Sequence, residues 1–196
     1  MINITKKDVV WNFIATFLKT ASSIILLPLI LKYLSAEEIG IWSIFVTIGG
    51  LISIADFGFS PSFSRNITFI FSGVNKLSKV GFNNESNTGT INYVLLKTTL
   101  KAMRYFYLRV SIFVFLFLSV FGTYYIKHIL NDFEGSNYNI FIAWFIFVCF
   151  VSFNMYTNYF ESLLIGRGLI KENKQINVLT QMLYLLLASV LLLQGY

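Results

Sequence analysis

Apolar residues run along this chain in five long blocks, separated by polar connectors of unequal length. The blocks cover about residues 9–33, 39–66, 105–126, 139–165 and 176–194. Each is close to or beyond the ~20 residues an α-helix needs to cross the bilayer's hydrocarbon. Glycine, proline and asparagine inside them do not exclude helix, because neighbouring helices can satisfy freed backbone groups. The pattern predicts an all-α fold: a polytopic membrane helix bundle of about five transmembrane helices. Residues 72–92, rich in Asn, Ser, Gly and Thr, read as a loop. Residues 93–104, "YVLLKTTLKAMR", read as a basic amphipathic helix leading into the third span, solvated or on the membrane surface rather than a partner site.

Polar residues inside the blocks fall at helical steps. Asn12, Thr16, Lys19 and Ser23 share one face of the first span. Gly49, Ser53, Asp56 and Ser60 do so in the second, Asn154, Asn158 and Glu161 in the fourth, and Asn177, Gln181 and Tyr184 in the fifth. The third span lacks a good stripe. Two readings compete for these rows. Helix–helix contact accounts for Gly49, Ser53, Asn154 and Asn158 without any function. It accounts poorly for Lys19, since a lysine at mid-span costs about 2.5–3.5 kcal/mol and belongs in a bundle interior or a water-filled cavity. Asp56 and Glu161 raise the same question. Lys32, Arg65 and Arg109 sit near span ends, where they anchor at the interface. Gly58 and Pro61 are expected to bend or interrupt the second span beside Asp56, as where a broken helix borders a cavity.

Composition strengthens the membrane reading. Of 196 residues, 56% are hydrophobic and 12% charged, about half the charge of a soluble domain. Mean hydropathy is +0.70. The segment after Lys6 and Lys7 is longer than the apolar core of a signal peptide and no small-x-small site follows it, so it reads as an uncleaved first helix.

Charge then sets the expected direction. With the N-terminus inside, the inner connectors carry twelve cations: Lys6, Lys7, Arg65, Lys76, Lys79, Lys97, Lys101, Arg104, Arg109, Arg167, Lys171 and Lys174. The outer connectors carry two, Lys32 and Lys127, beside the acids Glu37, Glu38, Asp132 and Glu134. Such asymmetry is the positive-inside pattern. It accounts for the net charge of +6 without a nucleic-acid partner.

Little else points to chemistry. Asp56-Phe57-Gly58 spells a kinase triplet, but the Gly-rich loop, strand lysine and catalytic loop of that set are missing. The single Cys149 permits no internal disulfide or cysteine-based metal cluster, and the single His128 lies beyond a span as an interfacial polar residue. No cofactor and no metal site is expected.

The segments "PLILKYLSAEEIGIWSIF", "DFGFSPSFSRNI", "SGVNKLSKVGF" and "IGRGLIKENKQINVL", taken in that order, resemble polysaccharide biosynthesis proteins of the O-antigen flippase type. These belong to the multidrug/oligosaccharidyl-lipid/polysaccharide exporter superfamily. The resemblance runs from about Thr5 to Leu193. It implies an alternating-access transporter of the bacterial cytoplasmic membrane, with two helical lobes around a central cavity. Its substrate would be a lipid-linked oligosaccharide, on an undecaprenyl diphosphate carrier, used for cell-surface polysaccharide. Lys19 would contact the anionic diphosphate. Asp56 would balance that charge or take part in coupling to a cation or proton, and Asn12, Thr16, Asn154, Asn158 and Glu161 would line the cavity. Family members have twelve or more membrane helices, so five spans correspond to most of an N-terminal lobe, with membrane lipids and a C-terminal lobe as further partners.

A multidrug or cation antiporter of the same superfamily shares the expected fold. An inactive truncated fragment or a small membrane scaffold is a further alternative. A membrane enzyme is not expected, because such enzymes need convergent acids, bases or nucleophiles and the one histidine lies outside the spans.

Cysteines introduced at Asn84 and Asn137 in a Cys149→Ser background should therefore label from opposite sides of the membrane. Reaction of the Asn84→Cys protein with an impermeant reagent, in cells whose inner membrane is intact, would overturn the assigned direction.

Overall fold

The structure is a computed structural model and describes residues 5–77, 90–130 and 137–194. It is all-α, with no strand among the described residues: a polytopic helix bundle with five helices long and apolar enough to cross a membrane. In chain order the helices are α1 (Lys6–Tyr33), α2 (Ala36–Ser53), α3 (Phe59–Phe71), α4 (Tyr93–Phe117), α5 (Thr123–Ile129), α6 (Asn137–Arg167) and α7 (Ile170–Leu193). A 3₁₀ turn (Ile54–Asp56) follows α2, and a π-turn (Leu118–Gly122) joins α4 to α5.

Two compact units divide the chain, residues 1–42 with 164–196, and residues 43–163. In the first, α1 packs along α7. The buried row of α1 is Asp8, Ser22, Leu26 and Ile30. Thr5 opens α1 as a capping box: its backbone N and its Oγ1 each donate to Asp8 Oδ2 at 2.7 Å. The other carboxylate oxygen, Oδ1, accepts from the backbone N of Lys171 at 3.1 Å, in the first turn of α7. One carboxylate thus satisfies orphan donors at the starts of two helices. With their N-termini together and their lengths in contact, α1 and α7 run parallel. Pro28 leaves the Ile24 carbonyl without its usual donor, and α1 continues to Tyr33.

In the second unit α4 and α6 are antiparallel, with Arg104 meeting Tyr156, Ser111 meeting Ser152, and Thr123 meeting Trp144. Phe45 of α2 stacks on Phe147 of α6 at 5.1 Å between centroids, and Gly49 lies beside the same ring. Phe59 and Phe63 bring α3 onto Phe106 of α4. Asn92 caps α4 by accepting from the Leu95 N and also donates to Asn75 Oδ1.

Three expectations change. The second span does not run from 39 to 66 as one helix: it ends at Asp56, and α3 is a separate helix whose buried face is Ser64, Ile67 and Ile70. Residues 93–104 have no boundary with the third span; Tyr93–Ile129 is one 37-residue run, about 55 Å at 1.5 Å per residue, so several turns project beyond the hydrocarbon. The last helix starts at Ile170, taking in Lys171 and Lys174 from the expected connector. Residues 78–89 of the expected loop lie outside the described residues.

Gly122 marks the tightest contact in the second unit. A Cβ built there would lie 2.5 Å from Cζ2 of Trp144, a side chain only 3% exposed. The indole Nε1 donates to Thr123 Oγ1 at 3.0 Å, so the ring is held and cannot easily withdraw. Gly122→Ala should destabilise the protein by about 1–3 kcal/mol through overpacking. Gly50→Ala, where a Cβ meets nothing within 4 Å, should be neutral or stabilising by up to about 1 kcal/mol. Equilibrium unfolding in mixed detergent micelles checks the pair, and equal effects would contradict the packing argument.

Candidate functional site

The clearest constellation forms where the second span breaks. Phe57 and Gly58 both adopt left-handed backbone, with φ of 49° and 74°. That conformation stops a right-handed helix, and glycine takes it without cost while phenylalanine does not. The break therefore falls across Phe57 and Gly58, beside Asp56. Pro61 sits in the first turn of α3, where its missing N–H is of no consequence, and its ring would clash with the carbonyl of Phe57 in a helix that continued through the break.

Asp56 closes the break. Its Oδ2 accepts from the Ser60 backbone N at 3.0 Å, satisfying an orphan donor of α3. Its Oδ1 accepts from the Tyr107 hydroxyl at 2.7 Å, which ties the turn to α4. Ser60 Oγ lies 2.8 Å from Ser162 Oγ on α6, and Ser64 Oγ donates to the Ser162 carbonyl at 3.1 Å. Tyr107 and Ser162 are fully buried. The Tyr107 ring is fixed by Phe106 and Phe63, at 5.3 and 6.0 Å between centroids. Three helices and a turn thus converge on one carboxylate and four hydroxyls. One turn earlier on α4, Arg104 Nε donates to the Tyr156 hydroxyl at 2.9 Å.

Such a cluster can hold a proton or present hard oxygen ligands to a cation. Among the described residues no group of three His, Cys, Asp or Glu side chains could hold a metal ion.

The other expected residues fall differently. Asn12, Thr16, Lys19 and Ser23 are all exposed on α1 within their unit, at the flank of its buried row, and Thr16 Oγ1 bonds back to the Asn12 carbonyl at 2.9 Å. The row Gly49, Ser53, Asp56, Ser60 does not share one helix. Ser53 is exposed and bonds to the Gly50 carbonyl, while Ser60 reaches Asp56 through the break and not through helical spacing. On α6, Asn154 is exposed and Asn158 and Glu161 are half-buried, whereas the packed row is Trp144, Val148, Ser152, Met155 and Ser162. On α7, Asn177 and Tyr184 are exposed, Gln181 is half-buried, and the buried polar residue is Asn173.

Sequence reasoning grouped Ser60 with Asp56 but passed over Tyr107 and Ser162. The third span does carry a row, contrary to expectation: Thr99, Met103, Tyr107, Ser111 and Val114, all buried at steps of four, four, four and three. Its signal was masked because Tyr and Met read as ordinary apolar residues.

An apolar cavity of about 410 Å³ lies between α2 and the α4–α5 run. Leu51, Ile52, Phe117, Phe121 and Tyr125 line it beside the π-turn, and none of the expected site residues reaches it. Comparison with protein-family models, with curated proteins and with solved structures finds no match to this chain.

The Tyr107–Asp56 bond has a direct check. Tyr107→Phe removes one hydroxyl and keeps the ring, and should cost about 1.5–3 kcal/mol as a hydrogen bond to a charged group. In a double-mutant cycle with Asp56→Asn, the coupling should be about 1–2 kcal/mol. A coupling near zero would mean that the two groups act independently.

Proposed function

We propose that the chain is part of a transporter that flips a lipid-linked oligosaccharide, carried on an undecaprenyl diphosphate, across a bacterial cytoplasmic membrane. It would lie there as a multi-pass protein with its N-terminus in the cytoplasm, forming most of one transporter lobe. The reading joins the resemblance to O-antigen flippases with one observation. Lys19 is exposed thirteen residues after the first residue of α1 and fourteen before its last, about 20 Å from either end at 1.5 Å per residue. A lysine stem cannot snorkel that far. An exposed ammonium at that depth needs water or an anion, and a diphosphate that crosses the membrane supplies the anion.

Asn12 and Thr16 lie on the same face of α1, toward the N-terminus, and would offer hydrogen bonds to sugar or phosphate on entry. The cluster around Asp56 would serve coupling, holding a proton or a cation at a place where one helix ends and another begins. It suits a multidrug or cation antiporter of the same superfamily equally well, and the substrate assay separates the two.

In a strain carrying the complete transporter, Lys19→Ala should lower export of the lipid-linked sugar by about tenfold or more at matched protein level, as expected for a lost charge-assisted contact. Lys19→Arg should keep part of the activity. Normal export by the alanine variant would remove Lys19 from the substrate path, and drug sensitivity without sugar-lipid accumulation would favour the antiporter.

A further inference from the structure

α4 is amphipathic along its axis as well as around it. Lys97, Lys101 and Arg104 are spaced four and three residues apart, so they share one face, and all three are exposed. The same face continues with Leu108 and Ile112, 43% and 50% exposed. The cationic stretch spans about 10 Å and the apolar stretch from Arg104 to Ile112 about 12 Å. That apolar length is close to the depth of one bilayer leaflet, half of ~30 Å.

Arg104 is positioned rather than free to sweep. Its Nε is committed to the Tyr156 hydroxyl, which leaves the two terminal nitrogens of a planar fork. Tyr156 is itself steadied by the Tyr159 ring at 5.8 Å between centroids. Arg109 is turned elsewhere, 4.3 Å over the Tyr105 ring. Among the described residues, carboxylates are scarce on the helices around this face. Neither α3 nor α4 has one, α6 has only Glu161, and Asp56 is bonded to Tyr107 and Ser60.

We propose that this face of α4 binds an anionic phospholipid, with Lys97, Lys101 and Arg104 on its phosphate headgroup and Leu108 and Ile112 along an acyl chain. The order of charges and hydrocarbon along the helix matches an amphiphile; a free anion would leave Leu108 and Ile112 without a partner. The cationic stretch lies near one end of a 37-residue run longer than the hydrocarbon is thick, an arrangement that would bring it to headgroup level.

Electron paramagnetic resonance with spin-labelled lipids, on the full chain in phosphatidylcholine vesicles, tests the proposal. The wild type should immobilise labelled phosphatidylglycerol in preference to labelled phosphatidylcholine. Replacing Lys97, Lys101 and Arg104 together by Gln should lower that preference by about fivefold or more, about fivefold being the scale of a single surface cation near anionic lipid. The pair Lys97→Gln/Lys101→Gln, exposed and remote from packed contacts, should give a smaller loss with unchanged helicity. Tyr156→Phe removes no charge and should still weaken the preference, because it frees the Arg104 side chain. Lys127→Gln, at the other end of the run, should leave it intact. Inorganic phosphate should displace no more lipid than chloride of equal ionic strength. Full preference in the triple or the Tyr156→Phe variant would overturn the proposal. So would an equal loss in Lys127→Gln, or specific displacement by phosphate.

Discussion

Hydrocarbon offers no partner to a peptide group, and each unpaired N–H or C=O in it costs several kcal/mol. That constraint decides where this chain can bend. Its apolar stretches depart from α geometry at few places, and at the break after α2 and at the start of α7 a side chain supplies the replacement bond. At the end of α2, where Phe57 and Gly58 turn left-handed, Asp56 takes the Ser60 N–H that has no carbonyl behind it. At the start of α7 the Lys171 N–H is taken by Asp8. In both places an aspartate stands at a helix start and does what a carbonyl of a preceding turn would have done. The π-turn keeps its backbone bonds by widening the helix, and the space beside Gly122 is filled by Trp144.

The same economy explains the polar side chains. Ser22, Thr99, Thr16 and Thr68 return their hydroxyls to a carbonyl four residues earlier, so they cost little and signal little. Ser60, Ser64, Tyr107 and Ser111 differ, because they bond across elements. Such bonds fix which helix packs against which, in a medium where apolar side chains gain nothing from meeting each other rather than lipid. The second unit is therefore held in register by a few hydroxyls and one carboxylate, with aromatic rings filling the space around them.

Much of this was legible in the residues. Apolar block length located the helices, since the bilayer's thickness fixes how long such blocks must be. Gly58 takes the positive φ of the break freely, and Pro61 falls in the first turn of the helix that begins after it, a position proline tolerates although it forbids a helix running through. Residues 93–104 read as a basic amphipathic helix leading into the third span, and they are the first turns of the same helix. Asp56 was visible as a rare intramembrane acid with Ser60 on its row, yet Tyr107 and Ser162 were not. Tyr107 carries one oxygen on a large ring, so a hydropathy reading counts it with phenylalanine, and Ser162 is one serine among many. Asp8 escaped notice for a different reason. An aspartate near a charged terminus looks ordinary until a second helix start, far away in sequence, arrives beside it.

Buried and exposed polar groups in this chain then divide into two kinds. Asp8, Asp56, Tyr107 and Ser162 have their partners inside the protein, and removing one leaves the others uncompensated. Lys19 sits at the middle of α1, exposed, with no ion-pair partner in its own unit among the described residues. A hydrocarbon environment would not tolerate that arrangement unless something beyond this unit met the ammonium: water, a phosphate or another helix. The proposed transport function is one answer to that demand, and it accounts for why the cation is kept at a depth where leucine would be cheaper. The carboxylate at Asp56 poses the milder version of the same problem. Two bonds satisfy part of its four-lone-pair capacity, and the coupling role proposed for it would draw on what remains.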